Sequence, residues 1–203
     1  MNWYDRHILP HLIDIACGMG AVMKTRGQVV PLACGRVLEI GIGSGLNLSF
    51  YDPAKVSAIV GVDPSAEMQK LALQRAAQIS IPVEMIALEL GQIQAATASF
   101  DSIVCTFTLC TIPDADAALK EMRRVLKPGG KLLFSEHGLA PDLPVVRWQN
   151  RLTPIWKPLA GGCHLNRDIP ALLRAGGFHI EQLESRYLQG PRPMTWVSWG
   201  WAV

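Results

Sequence analysis

Residues 37–47 read Val-Leu-Glu-Ile-Gly-Ile-Gly-Ser-Gly-Leu-Asn, so a short and mostly apolar run passes directly into three closely spaced glycines. The run predicts a buried β-strand, and the glycines predict a tight turn that leads into a helix. Glycine permits positive φ and has no Cβ to obstruct a ligand, and a helix N-terminus presents free N–H groups. The segment therefore predicts a nucleotide-like ligand at the end of the first strand.

A carboxylate follows the second predicted strand. Residues 59–62 form another buried run, which ends at Asp63, 22 residues after Gly41. This spacing suits a carboxylate that binds ribose hydroxyls. A glycine triplet alone is a weak signal, because tight turns use it without any ligand, but the strand, the turn and the acid together favour a nucleotide site.

The glycine spacing also discriminates between ligands. The dinucleotide fingerprint G-x-G-x-x-G requires glycine or alanine where this chain has Leu46, since its third glycine is Gly45. A G-x-x-x-x-G-K-[ST] loop is absent, because Gly129-Gly130-Lys131 lacks the upstream glycine and is followed by Leu132. Hydride transfer and ATP hydrolysis are both disfavoured.

Length and charge exclude further classes of protein. The 203 residues suit one domain, and a net charge of +2 lacks the basic footprint of a nucleic-acid binder. The longest runs without a charged residue, 40–51 and 102–113, are 12 residues long, below the ~18 that a membrane span needs. The N-terminus does not read as a secretion signal, so a cytoplasmic location is expected.

Alternating patterns predict an α/β fold. Short β-rich runs alternate with longer amphipathic stretches, as in a parallel sheet covered by helices. Helical periodicity spans residues 65–78 and 115–126, and Lys127-Pro128-Gly129-Gly130 predicts the end of the second helix. The predicted strands are 36–40, 58–62, 83–87, 102–106, 131–135, 178–187 and 195–203, and all seven would form one sheet.

Two regions depart from this alternation. Residues 1–35 precede the first strand, and residues 139–167 are rich in proline and tryptophan. Ligands of open parallel sheets bind outside the carboxyl ends of the strands, where added segments control which substrate is admitted. We interpret both regions as candidate lids on a single domain of residues 1–203, although simple packing explains them equally well.

These residues together resemble the class I S-adenosylmethionine-dependent methyltransferases. The first motif of that family, acidic-x-G-x-G-x-G, corresponds to residues 39–45, and the match continues through 62–64, 99–105 and 119–130. The resemblance implies a Rossmann-like, doubly wound, seven-stranded and mostly parallel sheet whose last strand is antiparallel, with helices on both faces. It also implies S-adenosylmethionine as cofactor. Within the family, residues 108–112, 136–138 and 162–167 look like blocks of the methyltransferase-like alkyl thiol methyltransferases and their bacterial relatives.

The resemblance implies a role for each matching residue near the methionine and ribose. Gly41, Gly43 and Gly45 would let the backbone pass close to the methionine part of the cofactor. Glu39 would orient its amino group, directly or through water, and Asp63 would accept both ribose hydroxyls.

The remaining cofactor residues are implied in the same way. Pro64 and Met68 would flank the adenine, while Thr106 and Phe107 would border the methionine tail and the reacting methyl group; Asn47 is assigned to the same site. The family often places an acid after the third strand to bind the adenine amino group, and here the segment Leu88-Glu89-Leu90-Gly91 makes Glu89 the candidate.

The histidines and cysteines are candidates for catalytic or metal-binding roles. His137 follows a strand end and could accept a proton from a nucleophile, or could simply hydrogen-bond a lid. His7 and His11 have helical metal spacing, but Pro10 lies between them and no third ligand is evident. The five cysteines are odd in number and form no CxxC, so we expect reduced thiols and no metal site; they are Cys17, Cys34, Cys105, Cys110 and Cys163.

The expected substrate is a small hydrophobic acceptor, and the resemblance to the alkyl thiol methyltransferases makes a thiol the candidate. Trp3, Trp148 and Trp156 lie in the two candidate lids and could line an apolar pocket. A quinone or phospholipid-headgroup methyltransferase, or a non-catalytic protein that binds S-adenosylmethionine, remain alternatives. The amphipathic N-terminal segment leaves peripheral membrane contact open, and the oligomeric state is not predicted.

Overall fold

A seven-stranded β-sheet forms the centre of the molecule. The computed structural model describes residue 4, residues 8–89 and residues 91–203. Its sheet has the order β3-β2-β1-β6-β7-β9-β8, and β4 pairs with β5 in a separate hairpin. The strands are β1 (Gly35–Ile40), β2 (Val56–Val62), β3 (Val83–Met85), β4 (Leu88–Glu89), β5 (Gln92–Ile93), β6 (Phe100–Thr106), β7 (Leu126–His137), β8 (Ile180–Tyr187) and β9 (Trp196–Ala202).

The strand directions confirm the predicted topology. β1 lies parallel to β2 and β6, β2 to β3, and β6 to β7, whereas β9 runs antiparallel to β7 and β8. The strand order reverses at β1, whose neighbours are β2 on one side and β6 on the other. A crevice outside the carboxyl ends of such strands is where open α/β sheets bind ligands.

Helices cover the sheet and also make up much of both candidate lids. Three of them begin at a polar side chain that caps a backbone N–H: Ser65 accepts from Met68, Asp114 from Ala117 and Asp168 from Ala171. The helices are α1 (Leu9–Cys17), α2 (Gly20–Val29), α3 (Ala66–Ala76), α4 (Ala115–Val125), α5 (Leu143–Leu159), α6 (Ile169–Ala175) and α7 (Arg192–Thr195), and short 3₁₀ helices span Val30–Leu32 and Leu48–Phe50.

The hydrophobic core has two halves, one on each face of the sheet. Alternation along β1 sends Leu38 and Ile40 into one half and Val37 into the other. The first half also holds Leu119 of α4. Each such side chain, fully buried, contributes about 1.5–3 kcal/mol to folding. This packing on both faces holds the central strands in place, and the candidate site lies at their carboxyl ends.

The structure corrects two local predictions and shows what the second candidate lid consists of. The glycine turn leads into a three-residue 3₁₀ helix, Leu48–Phe50, and not into an α-helix. Helix α4 ends at Val125, and the predicted terminator Lys127–Gly130 lies inside the first part of β7, beside a register shift against β6. The insertion 139–167 contains the 17-residue helix α5, which includes Pro154 and Pro158.

Helix length bears on membrane insertion. Within the ranges described above, no helix combines the length and the apolar character needed to cross a bilayer.

Candidate functional site

The predicted cofactor residues converge at the carboxyl ends of β1, β2 and β6. Glu39 lies in β1 beside Gly61 of β2 and Val104 of β6. Asp63 comes directly after β2, and Thr106 ends β6. Parallel pairing therefore brings together residues that are up to 67 positions apart in the chain.

Asp63 is held by backbone donors. Its Oδ2 accepts a hydrogen bond from the Gly43 N–H at 2.9 Å, and its Oδ1 accepts from the Ser65 N–H at 2.8 Å. Burial raises the pKa of this carboxyl, although both backbone bonds act to lower it. Each carboxylate oxygen has a further lone pair, so the group is oriented and still able to accept two hydroxyls.

The three glycines of the first motif have different surroundings. Gly41, Gly43 and Gly45 all adopt positive φ. A Cβ at Gly41 would overlap Thr108, and one at Gly45 would lie 2.8 Å from Leu48. At Gly43, by contrast, the nearest atom is the terminal methyl of Met68, 3.6 Å away. Packing against Thr108 and Leu48 excludes a side chain at the first and third glycines, whereas a Cβ at Gly43 would make only ordinary contact with Met68.

A buried polar network lies beneath the glycine turn. Glu39 is 1% exposed; its Oε1 accepts from Asn47 Nδ2 at 2.9 Å and its Oε2 from the Tyr51 hydroxyl at 2.7 Å. The Asn47 amide also donates to Thr106 Oγ1 at 2.9 Å. Burial raises the pKa of Glu39 to about 7, against the effect of its hydrogen bonds. Glu39 therefore fixes the Asn47 side chain, and each of the two carboxylate oxygens of Glu39 already accepts one hydrogen bond.

Arg26 joins this network from the segment before β1. The guanidinium of this α2 residue donates through one nitrogen to Asn47 Oδ1, at 2.8 Å, and to Thr106 Oγ1. Its carbon lies 5.1 Å from the centre of the Phe107 ring. Arg26 is only 5% exposed, yet its Nε has no hydrogen-bond partner. The sequence does not single out this residue, because Arg26 stands among other polar residues of α2, Lys24, Thr25 and Gln28.

Phe107 adopts an unusual backbone conformation. Its φ is +53°, a region that costs a residue with a Cβ roughly 1–2 kcal/mol. The Phe107 N–H is bonded to the Ser135 carbonyl of β7 at 2.8 Å, which holds the chain in place as β6 ends. Such strained residues cluster at functional sites, and this one lies where the cofactor tail was predicted.

Two contacts connect the segment before β1 with other parts of the chain. Asp14 of α1 accepts hydrogen bonds from Ser44 in the glycine turn and from Arg75 of α3, the latter at 2.9 Å. The Tyr4 hydroxyl donates to the Leu159 carbonyl, at the end of α5, at 3.0 Å. The first contact places α1 against the glycine turn, and the second connects the two predicted lid segments.

A histidine and two cysteines meet beyond the end of β7. His137 Nε2 lies 3.2 Å from Cys163 Sγ, and the Cys163 and Cys110 sulfurs lie 3.7 Å apart. Hydrogen bonding to Cys110, and then to His137, lowers the pKa of Cys163 despite its burial. The Nδ1 of His137 is buried without a partner. The predicted catalytic histidine is thus in contact with a thiol of the second lid segment.

The neighbouring Glu136 shapes the loop after β6. This carboxylate is fully buried and accepts backbone hydrogen bonds from Thr108, Leu109 and Cys110 at 2.8, 3.0 and 3.3 Å. Burial raises its pKa, and the three N–H groups oppose that rise. Glu136 therefore fixes the loop that connects Thr106 and Phe107 with Cys110.

Other predicted residues lie apart or outside the described residues. Pro64 is exposed, next to Asp63. The backbone of Glu89 belongs to β4, outside the main sheet, and its side chain is beyond what the structure describes, as are Trp3 and His7. Trp148 is 54% exposed, so about half of its side chain lies in solvent and its place in an apolar pocket stays a prediction.

Comparison with known proteins gives an independent view of these residues. A family model described as a methyltransferase domain matches residues 38–134. The chain is 35% identical to the thiol S-methyltransferase TMT1B of Rattus norvegicus over 168 residues, 81% of this chain and 66% of the relative. It is 34% identical to the human TMT1B over 174 residues, 83% of this chain and 69% of the relative.

The chain therefore spans about two thirds of the length of these curated relatives. Among solved structures, an S-adenosylmethionine-dependent methyltransferase from Mesorhizobium loti aligns with a TM-score of 0.66 at 20% identity. The alignment covers 92% of this chain and 99% of that chain. This structural likeness concerns the fold.

Proposed function

Because this chain belongs to the class I S-adenosylmethionine-dependent methyltransferases, we propose that it transfers the methyl group of S-adenosylmethionine to a small apolar thiol. The proposal of a thiol as the methyl acceptor rests on one observation: the chain is 34–35% identical, over about four fifths of its length, to relatives named thiol S-methyltransferases. The arrangement of the site supports the same reaction at the carboxyl ends of β1, β2 and β6.

The nucleoside end of the cofactor would lie near Gly43. Asp63 would accept both ribose hydroxyls, because its carboxylate is oriented by Gly43 and Ser65. Pro64 and Met68 would flank the adenine; Pro64 adjoins Asp63, and the Met68 side chain lies beside Gly43. Glu89 is the proposed partner of the adenine amino group.

The amino-acid end would lie over the buried polar network. The unpaired Nε of Arg26 is suited to the cofactor carboxylate, because a guanidinium matches that group in charge and in hydrogen-bond geometry. Glu39 and Asn47 would fix the ammonium through the network that they share with Thr106. Phe107 would border the sulfonium methyl from the end of β6.

The chain's own work in the reaction is mostly positioning. The sulfonium is already an activated donor, so the protein must hold the acceptor sulfur and the methyl carbon about 3–3.5 Å apart and in line. A thiol has a pKa of about 8.5, so only a small fraction is ionised near neutrality. Proton removal falls to the acceptor side of the site, where His137 is the predicted acceptor of the proton.

The two lid segments would enclose the acceptor. Their mutual contact through Tyr4 and Leu159 and the Asp14 contacts with the glycine turn support this role. Apolar side chains remain exposed on these segments, among them Leu12 and Ile15 of α1 and Ile155 of α5. An apolar acceptor suits such surroundings better than a charged one.

The test is a methyl-transfer assay with acceptors of different chemistry. Purified protein and S-adenosylmethionine are incubated with a small alkanethiol, a phenol, a reduced quinone or phosphatidylethanolamine vesicles. S-adenosylhomocysteine and the methylated product are then measured by mass spectrometry. We expect product with the thiol, and about 10- to 150-fold less with the Asp63→Ala variant at a cofactor concentration well below the one that saturates the native chain.

The assays with the other acceptors can contradict the proposal. Product only with the quinone or the lipid would identify a quinone or phospholipid-headgroup methyltransferase. Cofactor binding without product in any arm would indicate a binding protein that keeps the fold without turnover.

A further inference from the structure

We propose that Cys110, His137 and Cys163 form a binding site for a thiophilic divalent metal ion, zinc by preference, with one coordination position left for the acceptor thiol. The site itself rests on the geometry of these three side chains. Its use in catalysis rests on the thiol methylation proposed above.

The separations between the ligand atoms are close to those of a tetrahedral zinc site. Zn–S bonds of about 2.3 Å and Zn–N bonds of about 2.0 Å place two sulfurs roughly 3.8 Å apart, and a sulfur and a nitrogen roughly 3.6 Å apart. Here the sulfurs of Cys110 and Cys163 are 3.7 Å apart, and His137 Nε2 is 3.2 Å from Cys163 Sγ. All three ligand atoms lie within 4.8 Å of one another. Small shifts would therefore admit an ion.

The chemistry of the donor set favours zinc over harder cations. Two thiolates and an imidazole are soft or borderline ligands, which suit zinc and not magnesium or calcium. The group of three includes no carboxylate. Three protein ligands with one open position are typical of catalytic zinc sites, whereas structural zinc sites have four.

The ligands are held by rigid surroundings. The loop that carries Cys110 is fixed by Glu136 and by the His164 N–H, which donates to the Cys110 carbonyl at 2.9 Å. His137 ends β7 and is paired with Val197 of β9. Cys163 follows Gly162, where a Cβ would lie only 3.2 Å from the Thr111 carbonyl oxygen. This close approach brings the second lid segment onto the loop after β6.

The position of the group relates it to the proposed reaction. β6 and β7 are adjacent parallel strands, and Thr106, at the end of β6, is paired with Ser135 two residues before His137. Cys110 lies on the same loop as Thr108, whose hydroxyl lies against Gly41 of the first glycine motif. The three proposed metal ligands therefore lie next to the methionine end of the proposed cofactor site.

The metal would supply the thiolate. The acceptor thiol takes the open position and releases its proton to solvent as its sulfur binds the ion. This sulfur then forms a bond to the methyl carbon while the bond between that carbon and the sulfonium sulfur breaks, and the electron pair stays on S-adenosylhomocysteine. The product is a neutral thioether, a weaker ligand that leaves the ion. With the ion bound, His137 serves as a ligand and the metal takes over the activation of the thiol; in the metal-free protein His137 keeps the role of proton acceptor given under the proposed function.

The test measures metal binding directly, on the untagged full chain. Zinc content is determined by elemental analysis after gel filtration, and cobalt(II) is then titrated into the metal-free protein. We expect about one zinc per chain and the thiolate-to-cobalt charge-transfer and d–d bands of a tetrahedral site. Added alkanethiol should change the cobalt spectrum, because it occupies the open position.

Cysteine variants identify the ligands. Cys110→Ser and Cys163→Ser should lower zinc affinity at least about tenfold, whereas Cys34→Ser should leave it unchanged, because Cys34 is an exposed cysteine at the other end of β1. Circular dichroism checks that each variant is folded. If either ligand variant fails to fold, the cobalt spectrum of the native chain decides alone.

Two results would overturn the metal site: native protein that takes up neither zinc nor cobalt, or a folded Cys110→Ser/Cys163→Ser double variant that binds zinc as tightly as Cys34→Ser. Failure of the proposed function has a different signature. Metal-free native protein that methylates thiols at the full rate refutes the role of the metal and leaves the function standing. Protein that binds zinc at this group without methylating any thiol refutes the function and leaves the site.

Discussion

The Asp63 carboxylate accepts a 2.9 Å hydrogen bond from the backbone N–H of Gly43, which joins the two sequence motifs that were separately predicted to bind the cofactor. The bond fixes the glycine turn at the end of β1 relative to the end of β2. It also leaves carboxylate lone pairs for a ligand, so one side chain orients the turn and is available to bind the ribose.

We predict that Asp63→Ala weakens S-adenosylmethionine binding by about 10- to 150-fold, equivalent to roughly 1.5–3 kcal/mol for a charged group that accepts two hydroxyls. Isothermal titration calorimetry measures the affinity. Asp52→Asn is the matched control, because Asp52 lies in a loop ion pair with Lys55 and should bind as the native chain does. Equal affinities for Asp63→Ala and the native chain would remove Asp63 from the site.

Alanine substitutions distinguish the roles of the glycines in the first motif. Gly43→Ala should cost about 1–2 kcal/mol of stability, because its φ is positive, and should also weaken cofactor binding. Gly129→Ala is the matched control: it has positive φ and no atom within 4 Å of a new Cβ, and it lies at the opposite end of the sheet. Gly41→Ala should lose more stability than either, because its Cβ overlaps Thr108.

Calorimetric unfolding and cofactor titration distinguish these outcomes. Similar stability losses in Gly43→Ala and Gly129→Ala, with lower cofactor affinity in Gly43→Ala alone, would support the ligand path. Unchanged affinity in Gly43→Ala would show that this glycine serves the turn and nothing else.

Local signals in the sequence predicted the sheet and part of the site. The apolar runs and the caps at Ser65 and Asp114 depend on neighbouring residues, so the strands and the helices α3 and α4 could be recognised. Helix α5 could not, because Pro154 and Pro158 suggest a loop, although the helix tolerates both.

The remaining parts of the site depend on contacts between distant residues. Arg26 and Thr106 are 80 positions apart, and Cys110 and Cys163 are 53 apart. The sequence predicts no metal site, because it has no short spacing such as CxxC. The three proposed zinc ligands come from three separate segments, which only the folded chain brings together.

Arg26 provides a test of how the amino-acid end of the cofactor is bound. We predict that Arg26→Met lowers affinity for S-adenosylmethionine by about 10- to 150-fold, while affinity for 5′-methylthioadenosine, which lacks the carboxylate, is unchanged. The second ligand also reports whether the variant keeps a folded nucleoside site. Lys24→Met, on the exposed face of the same helix, is the control for loss of charge. A parallel loss for both ligands would assign Arg26 to the fold instead.

Glu39 predicts an unusual dependence of stability on pH. Its pKa in the folded chain is about 7, above the ordinary value of 4.5, because burial disfavours the carboxylate. The folded state therefore holds this proton more tightly than the unfolded state does. The stabilisation is complete below about pH 4.5 and is lost as the pH rises to about 7, a change of about 3 kcal/mol.

Denaturant unfolding of the cofactor-free protein between pH 4.5 and 8 measures this slope. Glu39→Gln removes the titrating group and keeps an oxygen that can accept from Asn47 or Tyr51, so its stability should fall about 3 kcal/mol less over that range. Glu84→Gln, which replaces an exposed glutamate paired with Arg36, should retain the native slope. A parallel loss of stability in the native chain and in Glu39→Gln would contradict this prediction. It would show that Glu39 is ionised in the folded state over the whole range from pH 4.5 to 8.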